Sequence, residues 1–425
     1  MSPSSNRETP CLGGRSVAVL GGGIVGLCTA YHLVRLGARV TVVDRSFEAH
    51  GASWGNAGSI SPGSVLPVAY KGMIRDVPRM LLDPTGPLRV TASGLGSHAA
   101  WLASFLRHAT PAQIRRSADG IAALVREAMT RHVALLDAID SRDLLRATGQ
   151  LHLYPDRAAV ERDRFGWTLR REFGVAVEEI GREEILALEP AVGPAYTAGV
   201  FLPEQGMIVD PGEYSGRLRA VLRQSGVRLV EDDVRDLDLA RDGAPALVGE
   251  AERHGADDVV LCGGSWSADL VRRFGCRIPL ANQRGFHVQF PDSGVSLERV
   301  VVLADRKVFV TPMSNGLRAA GTVEVTRIDS AADMRRADAL VGHVQTAWPQ
   351  LKAAPRSTWS GERPCLPDSL PVMGRSPVHP RLWFNFGHGH LGLTLSAVAG
   401  EEIARALAEG VTSPMLRALG PERFA

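Results

Sequence analysis

The sequence predicts an α/β fold, on three observations made in its first forty-four residues. The apolar run Ser16-Val17-Ala18-Val19-Leu20 opens into a glycine loop, Gly21-Gly22-Gly23 with Gly26. A helical stripe of Leu27, Cys28, Tyr31 and Val34 then runs from Ile24 to Leu36 and stops at Gly37. A second apolar run, Arg39 to Val43, ends on Asp44, about twenty residues past the loop. Strand, glycine loop, helix, strand and acid in that order make a Rossmann-type dinucleotide clamp.

Each residue of the clamp has a physical reason. In Gly21-x-Gly23-x-x-Gly26 the first glycine makes the tight turn, and the second admits a pyrophosphate against bare backbone. The third lets helix and strand pack closely. The helix opening at Ile24 and Val25 faces the phosphates with unpaired N–H groups. Asp44 suits ribose hydroxyls and repels a 2′-phosphate, so the ligand is FAD or NAD rather than NADP.

The chain of 425 residues is longer than one core normally serves, which predicts two domains. With 45% hydrophobic and 22% charged residues it has the composition of a soluble globular enzyme, and a net charge of +2 gives no electrostatic case for nucleic acid. Arginine pairs such as Arg115-Arg116 and Arg272-Arg273 read as solvated helix faces. Five cysteines without a CxxC pair or metal-ligand spacing read as reduced thiols, and no metal is expected. Residues 1–14 read as a flexible leader without an apolar segment, and no run reaches the ~20 apolar residues of a membrane span. The expectation is a cytoplasmic protein, with peripheral contact at the inner face of a membrane left open.

Past Asp44, the loop from Gly51 to Gly63 is dense in small residues and is either a linker or a place where backbone meets a flat ligand. Helical patterning covers about Ser97 to Ser141, where Trp101, Leu102, Phe105 and Leu106 read as core positions. Short strands follow at Leu151–Tyr154 and Gly199–Leu202, then a helix from Pro211 to about Gln224 and strands at 226–230 and 257–262. Alternation between Pro279 and Thr326 predicts antiparallel sheet, with helix again from Ala331 to Trp348. The strand Leu382–Phe386 runs into a second glycine turn, Gly387-His388-Gly389-His390-Leu391-Gly392, and then into a helix from Thr394 to Ala408. No strand with a terminal acid follows it, so the turn suits an anion or electron-rich oxygen rather than a second nucleotide; on a flavin it would meet the N1 and C2 carbonyl edge.

Overall the sequence predicts α+β content: a dinucleotide-binding domain assembled from discontinuous segments (15–95, 196–275, 351–425) and a mixed or antiparallel-sheet substrate domain with helices (96–195, 276–350).

These blocks together resemble the D-amino-acid oxidase-like superfamily of FAD oxidoreductases, and within it the D-amino-acid dehydrogenases. The likeness rests on Gly21 to Asp44, on Ser53 with Asn56-Ala57-Gly58 and Ile60-Ser61-Pro62-Gly63, and on Gln283-Arg284-Gly285. It continues through Pro312, Gly316 and Gly321-Thr322, Gly361-Glu362-Arg363-Pro364 with Pro367-Asp368, Pro371 to Gly374, and Gly387 to Thr394. It implies noncovalent FAD, with the ring between Gly51–Gly58 and Gly387–Thr394, Val234 at the adenine through its backbone, and Arg45, Gly263 and Gly361 among the cofactor contacts. Arg363 matches the arginine that grips a substrate carboxylate, a task suited to a planar fork. Phe309 stands where related oxidases have a tyrosine, so Arg284 or His287 would assist Arg363. His388 and His390 would touch flavin through backbone. A related group attaches FAD covalently through a cysteine, but Cys365 sits at a different place. The implied reaction is hydride transfer from the α-carbon of a D-amino acid to flavin N5, giving an imine and then a 2-oxo acid. Alternatives are oxidation of hydroxy-D-proline, sarcosine or glycine, or a non-catalytic flavin- or NAD-binding subunit. Quinone, protein and oxygen all stay open as electron acceptors.

Overall fold

The computed structural model describes residues 11–48, 51–83, 85–240, 243–328 and 330–424, so most of the expected leader lies outside the described residues. Six strands form the first sheet in the order Arg228–Glu231, Arg39–Asp44, Ser16–Leu20, Asp258–Leu261, Leu382–Phe386, Val372–Arg375. The first five are parallel and Val372–Arg375 closes the edge antiparallel. Strands buried on both faces carry apolar residues at every position, and alternation sorts them to two cores. Val17, Val19, Val40 and Val42 join a cluster with Leu27 and Leu33 of the helix Ile24–Arg35 and Val398 and Ile403 of the helix Gly392–Glu409. Ala18, Leu20 and Val43 join the opposite cluster with Leu237 and Leu247 of a small three-stranded sheet.

The two helices of the first face cross closely enough that glycine is required. A Cβ on Gly400 would lie 2.7 Å from the Cys28 carbonyl carbon and 2.8 Å from the Thr29 nitrogen. The C-terminal helix ends at Gly410, whose φ of +67° is the left-handed stop that glycine adopts without strain.

Nine strands form the second, mixed sheet. Its path runs Ser357–Cys365, Ala281–Phe290, Gly316–Val325, Val308–Met313, Val300–Leu303, Gln150–Tyr154, Ala198–Leu202, Glu178–Gly181, with Leu88–Val90 paired to Gly316–Val325. Phe286, Val288 and Phe290 pack against Leu340, Val344 and Trp348 of the region around the helix Arg335–Ala347.

The structure differs from the sequence reading in three places. The stretch around Lys71 to Thr91, to which the sequence reading assigns no element, holds the helix Lys71–Leu82 and the strand Leu88–Val90; Pro78 inside the helix and the shortness of the strand hid both. The helical region 97–141 is three helices, Ala92–Arg107, Pro111–Val125 and Ala128–Ala138. The latter two send Ile121, Leu124, Leu135 and Leu136 into the cluster of the parallel sheet, not into the mixed one. Sheet membership also moves Leu88–Val90, Ala198–Leu202 and Ser357–Cys365 across the expected domain boundaries, because composition does not reveal which sheet a short strand joins. Among the described residues no helix is long and apolar enough to cross a membrane.

The helix crossing gives the first prediction. Gly400→Ala should destabilise the fold by about 1–3 kcal/mol through overpacking. The check is the denaturant midpoint of the purified protein, which should fall with little change in slope.

Candidate active site

Parallel strands place the two glycine turns side by side. Leu20 pairs with Leu261, and Leu261 pairs with Phe384, so Gly21 and Gly387 leave the same carboxyl edge of the sheet. Two strand spacings put those exits roughly 10 Å apart. They open on one cavity of about 2210 Å³. A drug-sized ligand takes about 300–1,000 Å³, so this volume has room for a dinucleotide together with a small substrate.

At the amino-terminal turn the structure requires glycine. With φ of +113°, Gly21 would carry a Cβ 2.5 Å from the Cys262 carbonyl oxygen, and a Cβ on Gly26 would overlap the Gly21 oxygen. Gly26 is thus packed behind the turn rather than on the cavity wall. The Ser53 hydroxyl accepts from the Ile24 N–H at 3.0 Å, which brings the Gly51–Gly63 loop to the helix opening. Asp44 accepts from the Gly22 N–H at 2.5 Å and from the Ser46 N–H at 3.2 Å, so its carboxylate sits at the loop it was expected to serve. Gly23, Val25, Arg45, Val234 and Gly263 line the same wall, and the Arg45 guanidinium lies 4.2 Å from the Trp266 ring centroid.

The loop expected to meet the ligand is held by groups the sequence reading missed. Arg318 is buried and donates to the Trp54 carbonyl at 3.1 Å and the Asn56 carbonyl at 2.7 Å, while Gln289 accepts from its Nε at 2.9 Å. Burial pulls its guanidinium down to about 10. Thr311 donates to the Ala57 carbonyl at 2.7 Å, and Asn56 turns back to accept from the Gly58 N–H at 2.8 Å. Gly58 is tucked under the loop, where a Cβ would lie 2.5 Å from the Ile208 oxygen. Only the position of Arg318 two residues from Gly316 in the sequence hinted at it.

The second turn is held from below. Thr394 donates to the Ser59 carbonyl at 3.2 Å and accepts from the Ser61 N–H at 3.3 Å. His132, fully buried, lies 2.9 Å from the Leu393 carbonyl and 3.2 Å from the Thr394 carbonyl through Nε2. Carbonyls only accept, so Nε2 carries the proton and Nδ1 accepts from the Tyr214 hydroxyl at 3.2 Å. Gly387, His388, Gly389, His390, Leu391, Gly392 and Thr394 all line the cavity.

Of the expected carboxylate-binding groups, one faces the cavity. Register fixes which. Gln283 is opposite both Arg363 and Val325, while Arg284 is opposite Glu362 and Glu324. Opposed residues share a face and neighbours alternate, so Arg363 and Arg284 point to opposite sides. Arg284 donates to Glu362 at 2.7 Å, to Glu324 at 3.4 Å and to the Ser330 carbonyl at 2.6 Å; it does not line the cavity. His287 is likewise off the wall. It donates from Nδ1 to the Gly55 carbonyl at 3.0 Å and stacks on Trp359 at 5.0 Å, and burial followed by the Arg318 charge pulls it down to about 3. Both are corrections to the expected helpers: one is neutralised by two acids, the other is a strut for the loop.

Arg363 itself crosses the floor made by Gly285, where a Cβ would overlap its guanidinium. Among the described residues it has no acidic partner, and its one hydrogen bond is to the Thr322 carbonyl at 3.5 Å. Thr322 holds a φ of +50°, rare for a β-branched residue, and Arg336 bonds its hydroxyl. Gly361, Phe309 and Cys365 share this wall; burial pushes the Cys365 thiol up to about 12, so it is an uncharged neighbour of the guanidinium. His390 stands 4.0 Å from that thiol, lowered to about 3 by burial and then by Arg363.

The residues present fit a flavin dinucleotide. Beyond the two glycine cradles, His388 Nε2 and Asn385 Oδ1 are buried at the cavity wall without a hydrogen-bond partner, and burial keeps His388 neutral by pulling it down to about 4.

Comparison with known proteins agrees with this geometry. A family model described as FAD dependent oxidoreductase matches residues 16–406. The D-amino-acid oxidase of Bradyrhizobium diazoefficiens is 34% identical over 418 residues, covering 97% of this chain and 99% of that protein. A D-amino acid dehydrogenase of the same organism is 31% identical over 432 residues, covering 96% and 99%. Among solved structures, glycine oxidase from Geobacillus kaustophilus shares the fold with a TM-score of 0.74 at 20% identity, covering 96% of this chain and 98% of that one.

The buried imidazole under the second turn sets an acid limit. His132 is pulled down to about 4 by burial, below the ordinary value of 6.5. The unfolded chain therefore takes up a proton below pH 6.5 that the folded chain refuses until about pH 4, and stability falls as pH falls through that window. His132→Phe should be less stable at pH 7, for want of its hydrogen bonds, yet lose less on acidification. The measurement is unfolding free energy against pH for both proteins, and an unchanged slope between pH 6.5 and 4 would reject the assignment.

Proposed function

Since the chain belongs to the family of FAD-dependent oxidoreductases, we propose that it oxidises the Cα–N bond of a D-amino acid. Hydride leaves the α-carbon and a proton leaves the nitrogen, giving an imine that water converts to a 2-oxo acid and ammonia. The observation that carries this reading is Arg363: a guanidinium on the cavity wall, without an acidic partner among the described residues, in the same chamber as both glycine turns. The D-amino acid as substrate class is supported by the two relatives above 30% identity, a D-amino-acid oxidase and a D-amino acid dehydrogenase.

Bound FAD supplies the hydride acceptor. Gly21, Gly23, Ile24 and Val25 would hold its pyrophosphate, Asp44 its ribose, and Arg45, Val234 and Gly263 its adenosine end. Ser53, Asn56, Ala57 and Gly361 would border the ring on one side, and Gly387 to Gly392 with Thr394 on the other. Gly26 and Gly58 act behind the wall by permitting the turns.

The chain's own residues do the rest by orientation. Arg363 takes the substrate carboxylate in a bidentate grip, and Gly285 lets the guanidinium lie flat enough to present both donors. Phe309 lines the cavity without a hydroxyl, so that position offers no phenol to the grip. His390 and His388 line the same cavity and are neutral at pH 7, so neither adds a charge beside the amine.

The test is anaerobic. Adding D-amino acids to the purified yellow protein should bleach the flavin bands; failure of every D-amino acid to do so rejects the reading. Arg363→Leu should raise KM for D-amino acids about 100-fold, the scale of removing one partner of a buried charge pair. Gly285→Ala keeps the charge but displaces it, and should raise the same KM about tenfold. An unchanged KM in both variants removes the carboxylate grip from this wall.

A further inference from the structure

Resting on the reading of Arg363 as the carboxylate anchor, we infer that the helix Ala92–Arg107 and the strand Leu88–Val90 form a side-chain lobe selecting substrates with large apolar or aromatic side chains. The lobe is joined to the anchor by a hydrogen bond: the Trp101 indole donates to the Cys365 carbonyl at 3.0 Å. Cys365 lies two residues beyond Arg363 on the same strand face, about 7 Å along it. A ligand held by its carboxylate at Arg363 therefore has Trp101 within reach of its side chain.

What surrounds that point is apolar. Trp101 stacks on Phe105 with ring centroids 5.0 Å apart and planes at 19°, and Leu102 packs beside them against Ala281 and Cys365. Leu88 and Val90 pair in register with Val323 and Val325, and all four line the cavity. The charged residue between them, Arg89, turns the other way to Asp333 and Glu324. The described residues of this wall, Leu88, Val90, Trp101, Leu102 and Phe105, carry no charge to pair with a carboxylate or ammonium on the ligand's side chain, so such a group would lose its water there without replacement. An aromatic or branched side chain gains buried area and ring contacts.

The experiment titrates the FAD-loaded protein with carboxylates that lack an amine and so cannot be oxidised: acetate, succinate and 3-phenylpropanoate. Perturbation of the flavin absorbance reports binding. 3-Phenylpropanoate should bind at least tenfold tighter than acetate, and succinate no tighter than acetate. Phe105→Ala should cut the phenyl advantage at least threefold, and Phe105→Leu, which keeps the helix packed, should cut it less. Equal affinities, a preference for succinate, no saturable binding, or a phenyl advantage untouched by both variants overturns the lobe. D-Phenylalanine, D-leucine and D-alanine are then tested for anaerobic bleaching. If 3-phenylpropanoate binds tightest but none of them bleaches the flavin, the proposed reaction falls while the lobe stands.

Discussion

The whole site depends on one strand. Asp258–Leu261 pairs in parallel with Ser16–Leu20 on one side and Leu382–Phe386 on the other, joining the two ends of the chain through its hydrogen bonds. More than three hundred residues separate Gly21 from Gly387 in sequence, and this ladder makes them neighbours. Loop closure on that scale costs entropy before any contact repays it. What repays it is the burial of Val19, Val260 and Trp383 in one core with the helices that follow each glycine turn. Gly400 belongs to the same arrangement, since the close approach of those two helices fixes how their N-termini point at the cavity.

Around that fixed frame the cavity wall is assembled from backbone, and buried side chains act chiefly as struts. Arg318 holds the Trp54–Asn56 carbonyls, His287 holds Gly55, and His132 holds Leu393 and Thr394. Arg318 and His287 place donors where loop carbonyls would otherwise lack a partner, a loss worth ~1–3 kcal/mol apiece, and His132 adds a further donor to carbonyls of the helix Gly392–Glu409. Around the two glycine turns the surface facing the cavity is rich in glycine, small side chains and oriented peptide groups. Such a surface suits a flat, polar-edged ligand, because peptide dipoles already in place need no reorganisation when charge moves.

Much of this was legible in the sequence, and what was not has a common cause. Gly21 to Asp44 and the second glycine turn are read from short-range spacing, which the chain writes locally, and Arg363 from the family resemblance carried by Gly361-Glu362-Arg363-Pro364. The strands Leu151–Tyr154 and Leu382–Phe386 likewise announce themselves by pattern, within a residue of where they fall. The roles of Arg284 and His287 are not local facts. A one-residue offset in register decides whether a strand residue meets the cavity or the opposite face, and no sequence pattern in Gln283-Arg284-Gly285 states that register. Trp101 and Phe105 read as core because core and cavity wall ask for the same residues; only the cavity separates them. The helix Lys71–Leu82 was hidden by its own Pro78.

The contrast between the two faces of the mixed sheet supports the proposed carboxylate grip. On one face Arg284 lies among Glu324 and Glu362, with Asn282 also bonded to Glu362, so buried charge of both signs is matched within the protein. On the other, a single residue away, Arg363 has no such match among the described residues, and burial alone lowers its affinity for its proton. A partly desolvated cation without an ion-pair partner is less stable than its hydrated state. The fold could have removed this cost by placing an acid at Gln283 or Val325, the residues aligned with Arg363 across the ladders. Leaving it uncancelled transfers the cancelling charge to whatever enters the cavity. A ligand that brings a carboxylate relieves the cost, whereas one that displaces the water without bringing a charge increases it. Selection for an acid at this wall therefore follows from the neutralised cluster behind it as much as from the guanidinium in front.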